Sequence, residues 1–338
     1  MVDLKLRVLL ATAVACAVGA LPAAAATALP THVYAPYFET WTSDSITEVA
    51  QQSGARYFAL AFLETLGKNS CTLAWNGKKS QTLAALRYSS DIASLRALGG
   101  DVFPSFGGWS ADQRGTDIAD SCHDVKRIAN AYESVITTYD VTRLDMDVEA
   151  RSLTRMAAID RRNKAIRIVE AWAAAQHRPL QISYTLTVTP SGLGPRRLAV
   201  LQNAIHNKAR IDVVNIMVFD YYDGKTTDMS GAAISAAEGV FAELSSLYPS
   251  KTDAQVWGME GITIHPGIDD FPKKTEITYL ADAQTILGFA SSVGIDTLSI
   301  WSIQRDTGAC PGARRPGCSG ISQNTWDFSR LLESFTGR

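Results

Sequence analysis

Arg143-Leu144-Asp145-Met146-Asp147-Val148-Glu149 is the stretch on which the reading of this chain turns. Side chains alternate faces along a β-strand, so Asp145, Asp147 and Glu149 share one face while Leu144, Met146 and Val148 take the other. Same-face neighbours lie about 7 Å apart at Cα. Three carboxylates at that spacing do not all ionise cheaply. Repulsion and partial burial raise at least one pKa, leaving a protonated acid at neutral pH. Such a group serves general acid catalysis, where a leaving oxygen must be protonated.

Apolar or β-branched runs recur on both sides of this segment. Strands are expected at His32–Tyr37, Tyr57–Leu63, Val102–Phe106, Arg143–Val148, Gln181–Val188, Val213–Phe219, Gln255–Ile262 and Thr297–Trp301. Helical periodicity marks Ile46–Gln52, Ser89–Leu98, Asp124–Thr137, Ser152–Gln176, Arg197–Ala209, Ala232–Leu247, Tyr279–Val293 and Trp326–Phe335. Most of these strands are too apolar for half-exposed antiparallel edges, which indicates a parallel sheet buried on both faces. Eight strands, each followed by a helix, give an α/β chain of the (β/α)8, or TIM-barrel, class. A doubly wound open sheet is the alternative, but Tyr37-Phe38-Glu39-Thr40-Trp41 lacks the glycine-rich first turn that announces one. Thr189–Pro195 reads as a strand-end loop, and neither repeats nor linkers divide the chain.

Glu149 then falls at the C-terminal end of the fourth barrel strand, where barrel active sites are built. Two plainer readings compete. One is a solvated strand face; the other is a calcium or magnesium site made of carboxylates. The cleanly apolar opposite face and the enclosure of an inward barrel face favour catalysis. His32, His123, His177, His206 and His265 are scattered, with no spacing that suggests a metal site or a Ser-His-Asp triad. No metal and no cofactor are expected.

The chain has 338 residues, 46% hydrophobic and 20% charged, which suits one large core. A net charge of −2 and a pI near 6.2 supply no basic field for nucleic acid or an anionic membrane. A neutral polymer or small molecule fits better as a partner, and a monomer is expected. Lys5 and Arg7 precede an apolar run from Val8 to Leu21, then Pro22 and the small residues Ala23–Ala26. That is the pattern of a secretory signal, so residues 1–26 are expected to be removed, with one catalytic domain over 30–338 and an extracellular location. Cys16 allows a lipoprotein reading, but Ala13 is a poor residue three places before a lipid-bearing cysteine. Cys71, Cys122, Cys310 and Cys318 remain, and an even count in an exported chain indicates two disulfides. Three pairings are open. Cys310–Cys318, across a short Gly/Pro/Arg loop, and Cys71–Cys122 are favoured over a zinc site, which lacks paired spacings.

With these residues in place, the chain resembles glycoside hydrolase family 18, the chitinase and endo-β-N-acetylglucosaminidase family. Asp145, Asp147 and Glu149 match the last three acids of its fourth-strand pattern D-G-x-D-x-D-x-E. Ser105-Phe106-Gly107-Gly108 matches its third-strand S-x-G-G, and Met217-Val218-Phe219-Asp220-Tyr221 its sixth-strand M-x-x-D-Y. Trp301, followed by Arg305-Asp306, resembles its eighth-strand segment. The blocks arrive in order between Tyr34 and Asp306. Two positions depart. Thr142-Arg143 replaces the first Asp-Gly, altering the hydrogen-bond chain to the innermost Asp, and Phe219 replaces a Tyr, leaving Tyr221 as the nearest hydroxyl.

The resemblance implies substrate-assisted retention, an exception to the two-carboxylate scheme. Glu149 would protonate the leaving oxygen while the sugar's N-acetyl carbonyl attacks the anomeric carbon. Asp147 would orient the acetamido group, Asp145 would share a proton behind it, and Asp220 and Tyr221 would fix the group from the sixth strand. Trp301 would floor the pocket, with Met217 as an acetamido wall; core packing is the plainer role for both. Ser105 would satisfy nearby groups, Gly107 and Gly108 would let the strand turn closely beneath the site, and Tyr37 and Trp109 would line it or stack on further sugars. Trp41 and Trp257 are further candidates for such stacking. Ile264 to Ile295 predicts only a loop and one helix, with no room for the insertion domain of larger members, hence a shallower cleft and internal cuts in the polymer. The implied enzyme is a secreted endo-acting chitinase. Its rivals are an endo-β-N-acetylglucosaminidase acting on N-glycan cores and a catalytically silent chitin-binding protein; a metal-dependent barrel enzyme is more distant.

Overall fold

A computed structural model describes residues 28–270 and 275–337. The expected signal segment, residues 1–26, lies outside the described residues, as does Cys16. In chain order the strands are β1 Val33–Tyr34, β2 Tyr37–Glu39, β3 Tyr57–Thr65, β4 Leu73–Trp75, β5 Asp101–Gly107, β6 Arg143–Asp147, β7 Gln181–Thr187, β8 Val213–Met217, β9 Glu260–Ile264, β10 Gly267–Ile268, β11 Ile277–Thr278 and β12 Thr297–Ile300. The helices are α1 Ile46–Ser53, α2 Ser89–Ala97, α3 Trp109–Arg114, α4 Ile118–Ser121, α5 Val125–Tyr139, α6 Met156–Ala175, α7 Gly194–His206, α8 Met229–Leu247, α9 Asp253–Trp257, α10 Leu280–Val293 and α11 Asp327–Leu332.

β1 pairs in parallel with β12, and β2 pairs in parallel with β3. These two pieces are one barrel stave, interrupted where Pro36 has no N–H to give the ladder. Around it the order β12-β9-β8-β7-β6-β5-β3 is parallel throughout, so the sheet closes as a (β/α)8 barrel. β4 folds back antiparallel on β3, and β10 and β11 make a small antiparallel ribbon.

The alternation of β6 sorts its residues as the sequence requires. Leu144, Met146 and Val148 are buried in the layer between sheet and helices. Arg143, Asp145 and Asp147 are buried too, and point into the barrel. Each surrounding helix packs one stripe. α5 starts at Asp124, whose carboxylate accepts from the N–H groups of Lys126 and Arg127, and buries Ile128, Ala129, Tyr132, Val135, Ile136 and Tyr139.

One strand differs from expectation. Residues 253–257 are helix, and the seventh stave is Glu260–Ile264 rather than Gln255–Ile262. The cause is a capping box: Thr252 accepts from the Gln255 N–H, and the Gln255 side chain accepts from the Thr252 N–H. The stretch between β9 and β12 also holds the β10–β11 ribbon, beyond the loop and helix expected there. Both favoured disulfides, Cys71–Cys122 and Cys310–Cys318, are formed.

Candidate active site

The inward residues of β6 lie in three tiers. At the bottom, Arg143 gives its guanidinium to Asp296 Oδ1 at 2.8 Å, Thr297 Oγ1 at 2.8 Å and Gln181 Oε1 at 3.0 Å. The residue that replaces the family glycine therefore closes the barrel floor. It is not among the groups that bond Asp145.

In the middle tier, Asp145 receives hydrogen bonds from Tyr37 Oη at 3.0 Å, Ser105 Oγ at 2.6 Å and Thr185 Oγ1 at 2.7 Å. Asn215 extends this net from β8, donating to Tyr37 Oη and Thr185 Oγ1 and accepting from Thr263 Oγ1. Burial raises the Asp145 pKa, opposed by hydrogen bonds from Ser105, Thr185, Ser183 and Tyr37. Asp145 is thus a fixed, crowded carboxyl with little freedom to turn.

The top tier carries the chemistry. Burial, then Glu149, Asp145 and Asp112, push the Asp147 carboxyl well above its usual value. Asp147 bonds the Glu149 side chain, and its buried Oδ1 has no partner among the described residues. Burial pushes Glu149 up to about 7, against the opposing pull of the Trp109 N–H and of Asp147. The pair titrates as a unit, with at least one proton kept at neutral pH.

Glu149 and Asp147 open into a cleft of about 610 Å³. Tyr37, Trp41, Phe62, Trp109, Met217 and Trp301 are among its walls. The Phe62 and Trp301 rings stack at 5.4 Å, and Trp41 packs against both. Trp109 stands 62% exposed at the rim, able to meet a ligand extending beyond the barrel mouth. Ser105, Gly107 and Gly108 lie behind the wall. A Cβ on Gly107 would sit 2.2 Å from the Asp147 carbonyl oxygen, and one on Gly108 2.6 Å from the Phe62 ring, so neither position has room for a side chain.

The sixth-strand arm differs from expectation at one residue. Asp220 and Tyr222 line the cleft; Tyr221 does not. Its hydroxyl is buried without a partner among the described residues. The backbone explains the exchange: Asp220 and Tyr222 both have positive φ, 53° and 55°, which breaks strand alternation just past β8. The ribbon holds this kink. Asp269 accepts from the Asp220 N–H at 2.8 Å, and Glu276 accepts from those of Tyr221 and Tyr222 at 2.9 and 3.0 Å. Burial and a hydrogen bond to Asp269 push Asp220 up to about 9, so it is a neutral donor.

Sequence reading misses Asp112, Phe62, Thr185, Asn215, Asp269 and Glu276. Asp112 bonds a main-chain N–H 37 residues away, so no local spacing marks it. Trp257 lies away from the cleft, stacked on Phe241 at 4.3 Å in the helical layer. Among the described residues, no group of three or more His, Cys, Asp or Glu side chains is arranged to hold a metal.

The sequence profile of glycosyl hydrolases family 18 matches residues 33–267. The chain is 30% identical over 324 residues to a probable bifunctional chitinase/lysozyme of Escherichia coli K12, covering 91% of this chain and 35% of that protein. It is 31% identical over 289 residues to endochitinase 11 of Metarhizium anisopliae, covering 82% and 53%. It therefore spans about a third of the first relative's length and about half of the second's. Among solved structures, catalytic-site mutants of active domain 2 of a thermostable Pyrococcus furiosus chitinase, complexed with chito-oligosaccharides, superpose with a TM-score of 0.79 at 29% identity, covering 91% of this chain and 95% of that one. With the acidic strand, the S-x-G-G turn and Trp301 placed around one cleft, the chain belongs to family 18 of the glycosyl hydrolases.

Proposed function

We propose that this chain is an exported, endo-acting chitinase that hydrolyses β-1,4-linked N-acetylglucosamine polymers with retention of configuration. The observation that carries the reading is the proton-sharing pair Asp147–Glu149 at the base of an open, aromatic-walled cleft. Glu149, held near neutrality, protonates the glycosidic oxygen as it leaves. The substrate's own acetamido oxygen attacks the anomeric carbon, the substrate-assisted exception to the two-carboxylate scheme. Asp147 turns its unpartnered Oδ1 to the acetamido N–H and stabilises the cationic ring that forms. Asp145 keeps Asp147 protonated by proximity. Neutral Asp220, its proton held against Asp269, faces the acetamido group from the opposite wall beside Tyr222. Trp301 stacks under the sugar. Water then opens the ring intermediate, with Glu149 now acting as base.

An open rim bearing Trp41 and Trp109 suits a chain that enters sideways, which supports internal cleavage. Two disulfides in the fold support export to an oxidising compartment. The relative complexed with chito-oligosaccharides supports the substrate class. The deciding experiment is incubation with defined N-acetylglucosamine oligomers, reading product sizes and the initial anomer. β-Anomer products of mixed length are expected. Initial α products would overturn retention. Release of an N-glycan from denatured high-mannose glycoprotein, without oligomer cleavage, would replace the substrate.

A further inference from the structure

Glu149 lies one step beyond the part of β6 that the sheet can fix. The strand ends at Asp147, and Val148 still donates to the Thr185 carbonyl across the β7 edge at 3.0 Å. Ala150 has a φ of 41°, so the chain has turned away by the next residue. The N–H of Glu149 has no sheet acceptor. It is taken instead by a side chain, Asp112 Oδ2, at 2.5 Å.

Asp112 is fully buried and stands in α3, the short helix that follows β5. The same corner grips the end of β6 twice more. The Gly108 N–H donates to the Asp147 carbonyl at 3.2 Å, and the Trp109 N–H bonds the Glu149 carboxyl. α3 thus holds Glu149 by its main chain and by its side chain. A fixed carboxyl is what a proton donor needs, because small misplacements of reacting groups are costly.

We propose that Asp112 is the positioning residue for Glu149, acting through the main-chain N–H; the assignment rests on Glu149 being the proton donor proposed above. The charged and titratable groups facing Asp112 come from three directions. Asp147 and Glu149 lie on the β6 side, Asp117 comes from the α4 region with Asp120 beside it, and Arg162 reaches in from α6. Arg162 is committed to Asp117 at 2.8 Å, and Asp120 to Arg155 at 2.7 Å and to the Ser152 hydroxyl. Neither cation bonds Asp112. Its oxygen therefore serves Glu149 rather than an ion pair.

The test compares Asp112→Ala with Asp112→Asn in the full chain. The Asn side chain keeps an oxygen for the Glu149 N–H; Ala does not. In the Ala variant, kcat on N-acetylglucosamine oligomers is expected to fall by roughly tenfold to a hundredfold. Oligomer affinity in a Glu149→Gln background is expected to change by less than about threefold, since Asp112 touches no cleft surface. Asn is expected to recover most of the lost kcat. Hydrogen exchange at the Glu149 amide supplies a readout independent of substrate: slow in the parent and in Asn, fast in Ala. Should the Ala variant not fold, Asp112→Ser, too short to reach, takes its place. Unchanged kcat with unchanged amide exchange would overturn the proposal, as would an Asn variant as impaired as Ala. A parent that cleaves no such oligomer would sink the chitinase reading, while amide exchange would still decide the role of Asp112.

Discussion

Asp147 and Glu149 share a hydrogen bond at the base of the cleft, so neither acid titrates alone. The catalytic consequence has a definite sign. The donor must be protonated, and burial pushes Glu149 up to about 7. kcat/KM is therefore expected to hold through mildly acidic pH and to fall as pH rises through about 7. Glu149→Gln should lower kcat/KM by roughly 10²–10⁴, the usual contribution of a positioned acid. A pH–rate profile whose alkaline limb stayed flat to pH 9 would contradict this assignment of the proton.

Arg143 and Asp296 make a second pair, at the other end of the barrel. Arg143 is 1% exposed and its guanidinium meets Asp296 at 2.8 Å. Removing one member of a buried pair strands the other, at a cost of about 3–5 kcal/mol. Arg143→Met should therefore destabilise strongly in urea unfolding, whereas Arg143→Met with Asp296→Asn should lose clearly less than the sum of the single changes. Additive losses would mean that the pair is not coupled.

How far the sequence reached follows from what periodicity encodes. The shared face of Asp145, Asp147 and Glu149 is legible because a strand's two-residue repeat separates inward from outward whatever the partner strands do. The Tyr221–Tyr222 exchange is not, because two left-handed residues cancel that repeat and nothing local signals them. Asp112 and Glu276 bond main-chain N–H groups far away in sequence, and such partnerships leave no spacing to read. The false start at Gln255 has a different origin. The apolar run there reads as strand, yet Thr252 and Gln255 carry a capping signature three residues apart that favours helix.

The two disulfides close loops of different size, with sequence separations of 51 for Cys71–Cys122 and 8 for Cys310–Cys318. Loop-entropy arguments assign about 4 kcal/mol to the longer and about 2.5 kcal/mol to the shorter. Replacing Cys71 and Cys122 by Ser should accordingly lower the denaturation midpoint more than replacing Cys310 and Cys318. Equal losses would point to effects on the folded state instead.

Glu260 offers a prediction separate from catalysis. Its neighbour Gly261 pairs with inward-facing Asn215, so Glu260 points outward from the barrel, beneath the helical layer. It is fully buried, and neither carboxyl oxygen has a partner among the described residues. Burial, with a smaller contribution from Glu243, holds its pKa well above the usual carboxylate value. A raised folded-state pKa favours the fold fully below the unfolded value, near 4.3, and that advantage is lost as pH climbs toward the folded value. Between the two, the unfolded chain has released a proton that the folded one keeps, and stability falls by about 1.4 kcal/mol per pH unit from this group alone. Glu260→Gln abolishes that slope. Urea unfolding at pH 4, 6 and 8 should show the variant gaining on the parent at each step; a constant difference across the three would mean that Glu260 does not stay protonated in the fold.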